Sequence, residues 1–301
     1  MKARRPGSVL PMFVVVMAVA AAATRAGDTA REQLNSILWM QQSAEYAALT
    51  SQVYAQATAR LPSLSAPGSA ALEQWGSTPG ALAALPTAIV LDIDETILDN
   101  SYYQARLVRG RQEYTPASWE AWVMEAAATP IAGAREFLRA AHAAGHRIFY
   151  LTNRACPLTP EPAGADPCPQ RTATMRNLAA LGFPGAERAD SFLMRNGEPG
   201  WRAADKGARR AAIASHYRII ALFGDDLRDF VERDVFAARR AELTPLFGAR
   251  WFVLPNPVYG SWERAIVAKA CGEKDRPRDC ERKQIERKYG TLETEPRNRS
   301  N

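Results

Sequence analysis

The sequence predicts an α/β fold: a Rossmann-like, mostly parallel sheet with a small cap and an N-terminal helical extension. Three observations point there. Short, branched, apolar runs recur at 88–91, 147–151, 192–194, 218–223 and 251–254, as strands buried on both faces of a parallel sheet do. Segments with helical character separate them, at roughly 131–144, 170–181, 205–216 and 226–239, and such alternation is the signature of α/β architecture. Polar and acidic residues collect just past the apolar runs, where open α/β sheets bind ligands.

The chain has 301 residues, 47% of them hydrophobic, enough to fill a sizeable core. Residues 1–26 read as a secretory signal peptide. Lys2, Arg4 and Arg5 precede an apolar run over 9–23, and small residues at Ala21, Ala23 and Ala26 offer cleavage sites. The run is short for a bilayer span, and the first cysteine is Cys156, which excludes a lipid-bearing Cys beside the cleavage site. The expectation is a periplasmic or secreted protein with no stable membrane anchor. Residues 1–26 hold four basic and no acidic residues, so the net charge falls from +6 to +2 once they are set aside. No Lys/Arg block is interleaved with aromatics, which argues against a nucleic-acid polymer as partner. A homo-oligomer is left open.

Residues 27–85 form the helical extension. Leu34, Ile37, Leu38 and Gln41 begin a helical stripe that Ala44, Ala48 and Ala55 continue. A Pro/Ser/Gly stretch at 61–69 interrupts it, and 70–85 reads as a short helix. The core spans 86–271. Gly145 and Gly182 follow two of its helices and suit C-terminal capping. The stretch from about 100 to 130 is too long for an ordinary connection and carries Tyr102, Tyr103, Trp119 and Trp122, so it reads as a cap inserted over the site. The charged tail, 272–301, is expected to be peripheral.

The four cysteines are Cys156, Cys168, Cys271 and Cys280. An even number behind an export signal suggests disulfides. Three pairings exist, and sequence proximity favours Cys156–Cys168 with Cys271–Cys280. Zinc is disfavoured, because the spacing is not C-x₂₋₄-C and the chain has only three His.

The chemistry sits at the strand ends. The first run ends in Asp92-Ile93-Asp94-Glu95-Thr96, the second in Thr152-Asn153-Arg154, the run at 218–223 in Gly224-Asp225-Asp226 with Asp229 close behind, and the last in Pro255-Asn256-Pro257. If these strands are neighbours, Asp92, Asp94, Asp225, Asp226 and Asp229 converge. Like charges that close repel unless a cation or protons join them, and a hard ion with oxygen ligands such as Mg²⁺ fits. Helix N-caps and solvated turns explain one Asp at a time, not two clusters at separate strand ends.

This constellation resembles the haloacid dehalogenase superfamily: Asp-x-Asp-x-Thr (Asp92, Asp94, Thr96), a Thr ending the next strand (Thr152), a Lys (Lys206, with Arg202, Arg209 and Arg210 nearby), and an acidic group (Asp225, Asp226, Asp229). The longer strings at 92–101, 151–154, 224–230 and 254–263 are similar to the secreted acid phosphatase subfamily, which includes outer-membrane lipoprotein acid phosphatases and 5′-nucleotidases. The resemblance covers roughly 30–290.

It implies that Asp92 attacks phosphorus, that Asp94 donates a proton to the leaving alcohol and then activates water, that Thr152 hydrogen-bonds the phosphoryl oxygens, and that Lys206 neutralises them. It implies a metal held by Asp92, the Asp94 backbone carbonyl and Asp225, with Asp226 and Asp229 behind. Small phosphomonoesters, including nucleotides, become the expected substrates. Tyr102, Trp119, Asn153, Arg154 and Tyr259 become candidate substrate contacts, with Trp119 and Tyr259 sandwiching a nucleobase. Rival readings are a phosphatase or phosphotransferase for small non-nucleotide esters, and a non-catalytic storage protein of the same fold. Loss of the first Asp would mark the storage class, and Asp92 is present.

Overall fold

The computed structural model describes residues 28–71, 74, 77–158, 164–272 and 275–294; the expected signal peptide, 1–26, lies outside them. The helical extension resolves into two helices, α1 (Asp28–Gln42) and α2 (Ala44–Leu64). Ser43 divides them: its backbone is extended, and its hydroxyl accepts from the Tyr46 amide at 3.1 Å, as an N-cap does. In the stretch expected to be a helix over 70–85, only α3 (Pro79–Ala83) is α-helical among the described residues.

Five parallel strands form the sheet, β1 (Thr87–Leu91), β4 (Arg147–Ala155), β5 (Phe192–Arg195), β6 (Arg218–Gly224) and β7 (Trp251–Val253), in the order β5-β4-β1-β6-β7. β1 is central and apolar on both faces. Ile89 and Leu91 join Tyr150, Phe137 and Phe223 on one side. Ala88 and Val90 join Phe149, Leu222 and Trp251 on the other. Fully burying each large aliphatic or aromatic side chain is worth about 1.5–3 kcal/mol, so a one-residue register slip would exchange the two faces. Helices α6 (Ala134–Ala143), α7 (Pro169–Ala180) and α8 (Gly207–Ala214) connect the strands. Gly182, after α7, has φ +72°, a left-handed conformation that costs glycine least.

A short antiparallel pair, β2 (Leu98–Asp99) with β3 (Thr129–Pro130), brackets two cap helices, α4 (Ser101–Gly110) and α5 (Pro116–Glu125). Thr115 and Ser118 form a capping box at the start of α5.

Three segments differ from expectation. β4 continues past 151 to Ala155, pairing with β5 there through an irregular register. The expected helix 226–239 breaks into a 3₁₀ turn at Leu227–Asp229, α9 (Arg233–Ala238) and a short α10 (Arg240–Leu243), because Asp226 and Asp229 bond each other's backbone and close a tight turn. The tail carries α12 (Pro277–Tyr289), which packs on α11 (Ser261–Val267). Lys288 ties it down by bridging Glu263 and Glu32, each at 2.7 Å. Disulfides join Cys156 to Cys168 and Cys271 to Cys280. Among the described residues, no helix is long and apolar enough to cross a membrane.

Candidate active site

Strand register brings the motifs together. Leu91 lies opposite Tyr150 on β4 and Phe223 on β6, so the residues that follow these strands emerge side by side. Beyond Leu91 the chain turns tightly: the amides of Ile97 and Leu98 both donate to the Ile93 carbonyl at 2.9 Å. Glu95 occupies a left-handed conformation within the turn, φ +56°. A non-glycine residue there costs energy that the surroundings must over-determine. Glu95 is buried, with Oε1 accepting from the Asn100 amide at 2.9 Å and Oε2 accepting from the Tyr259 hydroxyl. The Tyr54 hydroxyl of α2 donates to the Thr96 carbonyl at 2.7 Å.

Oxygens of Asp92, Asp225 and Asp229 all lie within 4.8 Å of one another. The Lys206 ammonium, 3% exposed, sits among them, donating to Asp92 Oδ1 and to Asp229 Oδ1, the latter at 2.7 Å. Asp225 Oδ2 accepts from Asn256 Nδ2 at 2.7 Å. Gly224 permits this crowding, since a Cβ there would stand 2.2 Å from the Asp229 side chain. Burial pushes the Asp92 carboxyl up to about 7 against the pull of Lys206. Burial, with Asp229 and Asp92, likewise raises Asp225 well above the usual carboxylate range. Burial pulls Lys206 down, but Asp229 and Asp92 together outweigh it and hold the ammonium above its ordinary value. Three carboxylates against one ammonium leave an excess of buried negative charge. That excess and an all-oxygen donor set suit a hard divalent cation.

Asp94 faces elsewhere. Its Oδ1 accepts from Arg154 Nη2 at 2.7 Å and from Asn100 Nδ2 at 3.0 Å, and Arg154 Nε completes a forked contact. The Arg154 guanidinium also donates to Thr174 Oγ1 and lies 5.8 Å from the centre of the Trp119 ring. A cavity of about 520 Å³ opens over all of this, lined by Asp92, Asp94, Asp225, Lys206, Trp119 and Tyr259 among others.

An aspartate-rich, lysine-bridged pocket at the C-terminal edge of a parallel sheet is where an enzyme of this architecture holds its ligand, and the buried ammonium suits an anionic one. The chain belongs to the haloacid dehalogenase superfamily, subfamily IIIB, the acid phosphatases, whose family model matches residues 12–262. It is similar to the class C acid phosphatase from Bacillus anthracis, at 28% identity and a TM-score of 0.69, with 89% of this chain and 99% of that chain covered. A structure of that protein with tungstate bound matches equally well. The chain is therefore a phosphomonoesterase.

The remaining expected site residues divide. Asn153 and Arg154 line the cavity, but Arg154 is committed to Asp94. The Asn153 side chain is committed to the Ala204 carbonyl and to Arg209 Nη2. The Thr152 hydroxyl is buried and accepts from the Arg154 amide at 3.1 Å. Asp226 lines the cavity edge. Burial alone would raise its pKa, but hydrogen bonds from Ser261 and the Arg228 amide hold it below the usual range. Trp119 and Tyr259 are half-buried and line the cavity. Tyr102 is 49% exposed and is not part of the lining. Successive helical residues point about 100° apart, so on α4 it is Tyr103 that turns inward against Trp119.

Sequence reasoning missed Glu95, Asn100, Asn256, Gln33 and Gln104. Asn256 and Glu95 stood inside the quoted motifs, where their polarity at a strand end was the signal. Gln33 and Gln104 lay on helices with no motif to mark them.

Proposed function

We infer that the chain hydrolyses phosphomonoesters through an aspartyl-phosphate intermediate, with Mg²⁺ as cofactor and nucleoside 5′-monophosphates among its substrates. The observation that carries this reading is the buried group of Asp92, Asp225 and Asp229 joined by Lys206 beside a cavity with aromatic walls. An Asp92 carboxylate oxygen attacks phosphorus as the bond from phosphorus to the leaving oxygen breaks. Asp94 gives a proton to that oxygen, which departs as the alcohol. Water then attacks the phosphoryl group and returns its proton to Asp94, releasing inorganic phosphate and free Asp92. The Lys206 ammonium offsets charge on Asp92 and on the phosphoryl oxygens. Arg154 and Asn100 fix the orientation of Asp94, and the Thr152 hydroxyl, accepting from an amide, keeps its proton for a phosphoryl oxygen.

Asp92, Asp225 and the Asp94 backbone carbonyl would hold Mg²⁺, whose positive charge stabilises the anionic transferring group. Asp229 stands with Lys206, and Asp226 braces the turn behind them. Trp119 and Tyr259 would stack on a flat leaving group. Tungstate is a tetrahedral oxyanion like phosphate, and its capture by the Bacillus anthracis relative is consistent with such a pocket. The signal pattern at 1–26 and the two disulfides support export to the periplasm or beyond.

The test is Asp92→Asn, assayed with Mg²⁺ and again after chelation on a panel of phosphomonoesters. The variant is expected to fold and to lose several orders of magnitude in turnover. Retention of more than about a tenth of the wild-type rate would remove Asp92 as nucleophile, and wild-type turnover unaffected by chelation would remove the metal.

A further inference from the structure

We propose that Gln104 is a specificity residue that binds hydroxyl groups of the leaving alcohol, so that the site selects phosphomonoesters of sugars and other polyols. The proposal rests on the hydrolytic reading above and adds to it what the alcohol must carry.

Gln104 lies on the inward face of α4 with Tyr103 and Leu107, where an apolar side chain would be expected. It is 7% exposed. Its carboxamide has no hydrogen-bond partner among the described residues, yet it lines the cavity, so its polar atoms are open to that space and not sealed in the core. Burying an amide costs desolvation that a partner normally returns. No side chain or carbonyl of the fold meets it here, so in the free site only cavity water can, and a ligand hydroxyl would replace that water.

Its place along α4 identifies the part of the substrate it meets. The Gln104 amide donates to the Asn100 carbonyl at 3.2 Å, and residues four apart share a helix face. Asn100 Nδ2 holds Asp94 Oδ1. Asp94 is the group assigned above to the departing oxygen, so Gln104 stands in the same cavity one helical turn from the residue that holds that group, a place suited to meeting the alcohol. Gln33 lines the same cavity from α1, which packs against α4; its Nε2 makes only a long contact, 3.5 Å, to the Val258 carbonyl.

The chemistry of the side chain narrows the ligand. A carboxamide is neutral and offers donors and an acceptor together. A hydroxyl also donates and accepts, and two adjacent hydroxyls match an amide edge. A second phosphate or a carboxylate would be met by the arginines that also line the cavity, Arg195, Arg228 and Arg264, and not by a neutral amide; an aliphatic alcohol would leave the amide unpaired. Ribose and glycerol both carry the required groups beside a primary phosphate ester.

The experiment compares substrates that differ only in hydroxyls: glycerol 1-phosphate against n-propyl phosphate, and a nucleoside 5′-monophosphate against its 2′,3′-dideoxy analogue. Wild type is expected to favour the hydroxylated member of each pair by about 2–13-fold in kcat/KM, the scale of a neutral hydrogen bond. Gln104→Met keeps an unbranched chain of similar size, and Gln104→Ala removes it; either variant that retains the wild-type melting transition serves. Each should lose the preference through the hydroxylated substrate alone, with n-propyl phosphate turned over within about twofold of wild type. Equal kcat/KM across the glycerol and propyl pair in wild type, or equal losses on both in a folded variant, would overturn the proposal. Failure of the nucleotide reading is separate: it would appear as no advantage of nucleotides over glycerol 1-phosphate while the hydroxyl preference persists.

Discussion

Replacing Lys206 by Met should both destabilise the protein and stop its chemistry, and the two effects can be separated. The ammonium is 3% exposed and contacts Asp92 and Asp229, with Asp225 in the same 4.8 Å group. Removing one partner of a buried ion pair while leaving the other costs about 3–5 kcal/mol. In a chain of this size each kcal/mol moves the melting temperature by about 2–4 °C, so Lys206→Met in EDTA should melt about 6–20 °C lower than wild type. The loss should be smaller at pH 6 than at pH 8, because Asp92, already pushed up to about 7 with Lys206 beside it, rises further without that cation and takes up a proton that relieves the repulsion. Mg²⁺ should raise the variant's melting temperature more than that of wild type, since the variant site is more negative by one charge. Turnover should nonetheless fall by about 10²–10³-fold, the scale of losing one electrostatic contact to the transition state. Scanning fluorimetry in EDTA and in Mg²⁺, with kcat on p-nitrophenyl phosphate, reads both. An unchanged melting temperature in EDTA, or kcat within tenfold of wild type, would refute the reasoning.

Two further outcomes are expected. Trp119→Ala should lower kcat/KM for nucleotides by roughly 5–150-fold, the scale of about 1–3 kcal/mol of stacking per ring, and lower it far less for glycerol 1-phosphate, whereas Tyr259→Ala, which also removes the hydroxyl that bonds Glu95, should lower it for both substrates and more for nucleotides. Tyr259→Phe, which keeps the ring and removes the hydroxyl that bonds Glu95, should preserve the nucleotide preference; equal losses on both substrates would make the rings structural. His146 is buried between Thr87 and Ser65, with Arg218 nearby, and burial lowers its pKa below the ordinary 6.5. The unfolded chain therefore binds the proton first, so stability is full above about pH 6.5 and declines as pH falls toward the lower folded value. His146→Gln should flatten the melting temperature between pH 7 and 5, and parallel profiles for variant and wild type would reject the linkage.

The sheet was legible because β1, β4 and β6 are apolar on both faces and end abruptly in polar residues, a pattern with little meaning outside a parallel core. The convergence of Asp92 and Asp225 followed once their strands were taken as neighbours, and β1 does lie beside β6. What the sequence hid was side-chain commitment. Arg154 reads as a candidate substrate contact, yet it grips Asp94, because the two strand ends approach closely enough for a forked contact. Asn153 reads as a substrate contact, yet Arg209, from a helix more than fifty residues on, engages its carbonyl oxygen at 2.6 Å. The break in the expected helix 226–239 also escaped, since the reciprocal bonds of Asp226 and Asp229 look in sequence like ordinary acidic residues of a first turn.

The same limit explains the helical extension, whose stripe announced helices but not where they dock. The Tyr54 ring packs against Phe137 and Phe223 in the core, with its hydroxyl on the Thr96 carbonyl, four residues past Asp92. Lys288 of α12 bridges Glu32 of α1 to Glu263 of α11, so both ends of the described chain meet next to the segment that carries Tyr259. Tyr259 in turn bonds Glu95, the strained residue of the nucleophile turn. A left-handed Glu95 persists only if its neighbours fix it, and those neighbours come from α4, the 255–260 segment and, through Thr96, α2. The extension therefore belongs to the structure that sets the Asp92–Asp94 turn through Tyr54, and its other helix, α1, packs against α4 and brings Gln33 to the cavity.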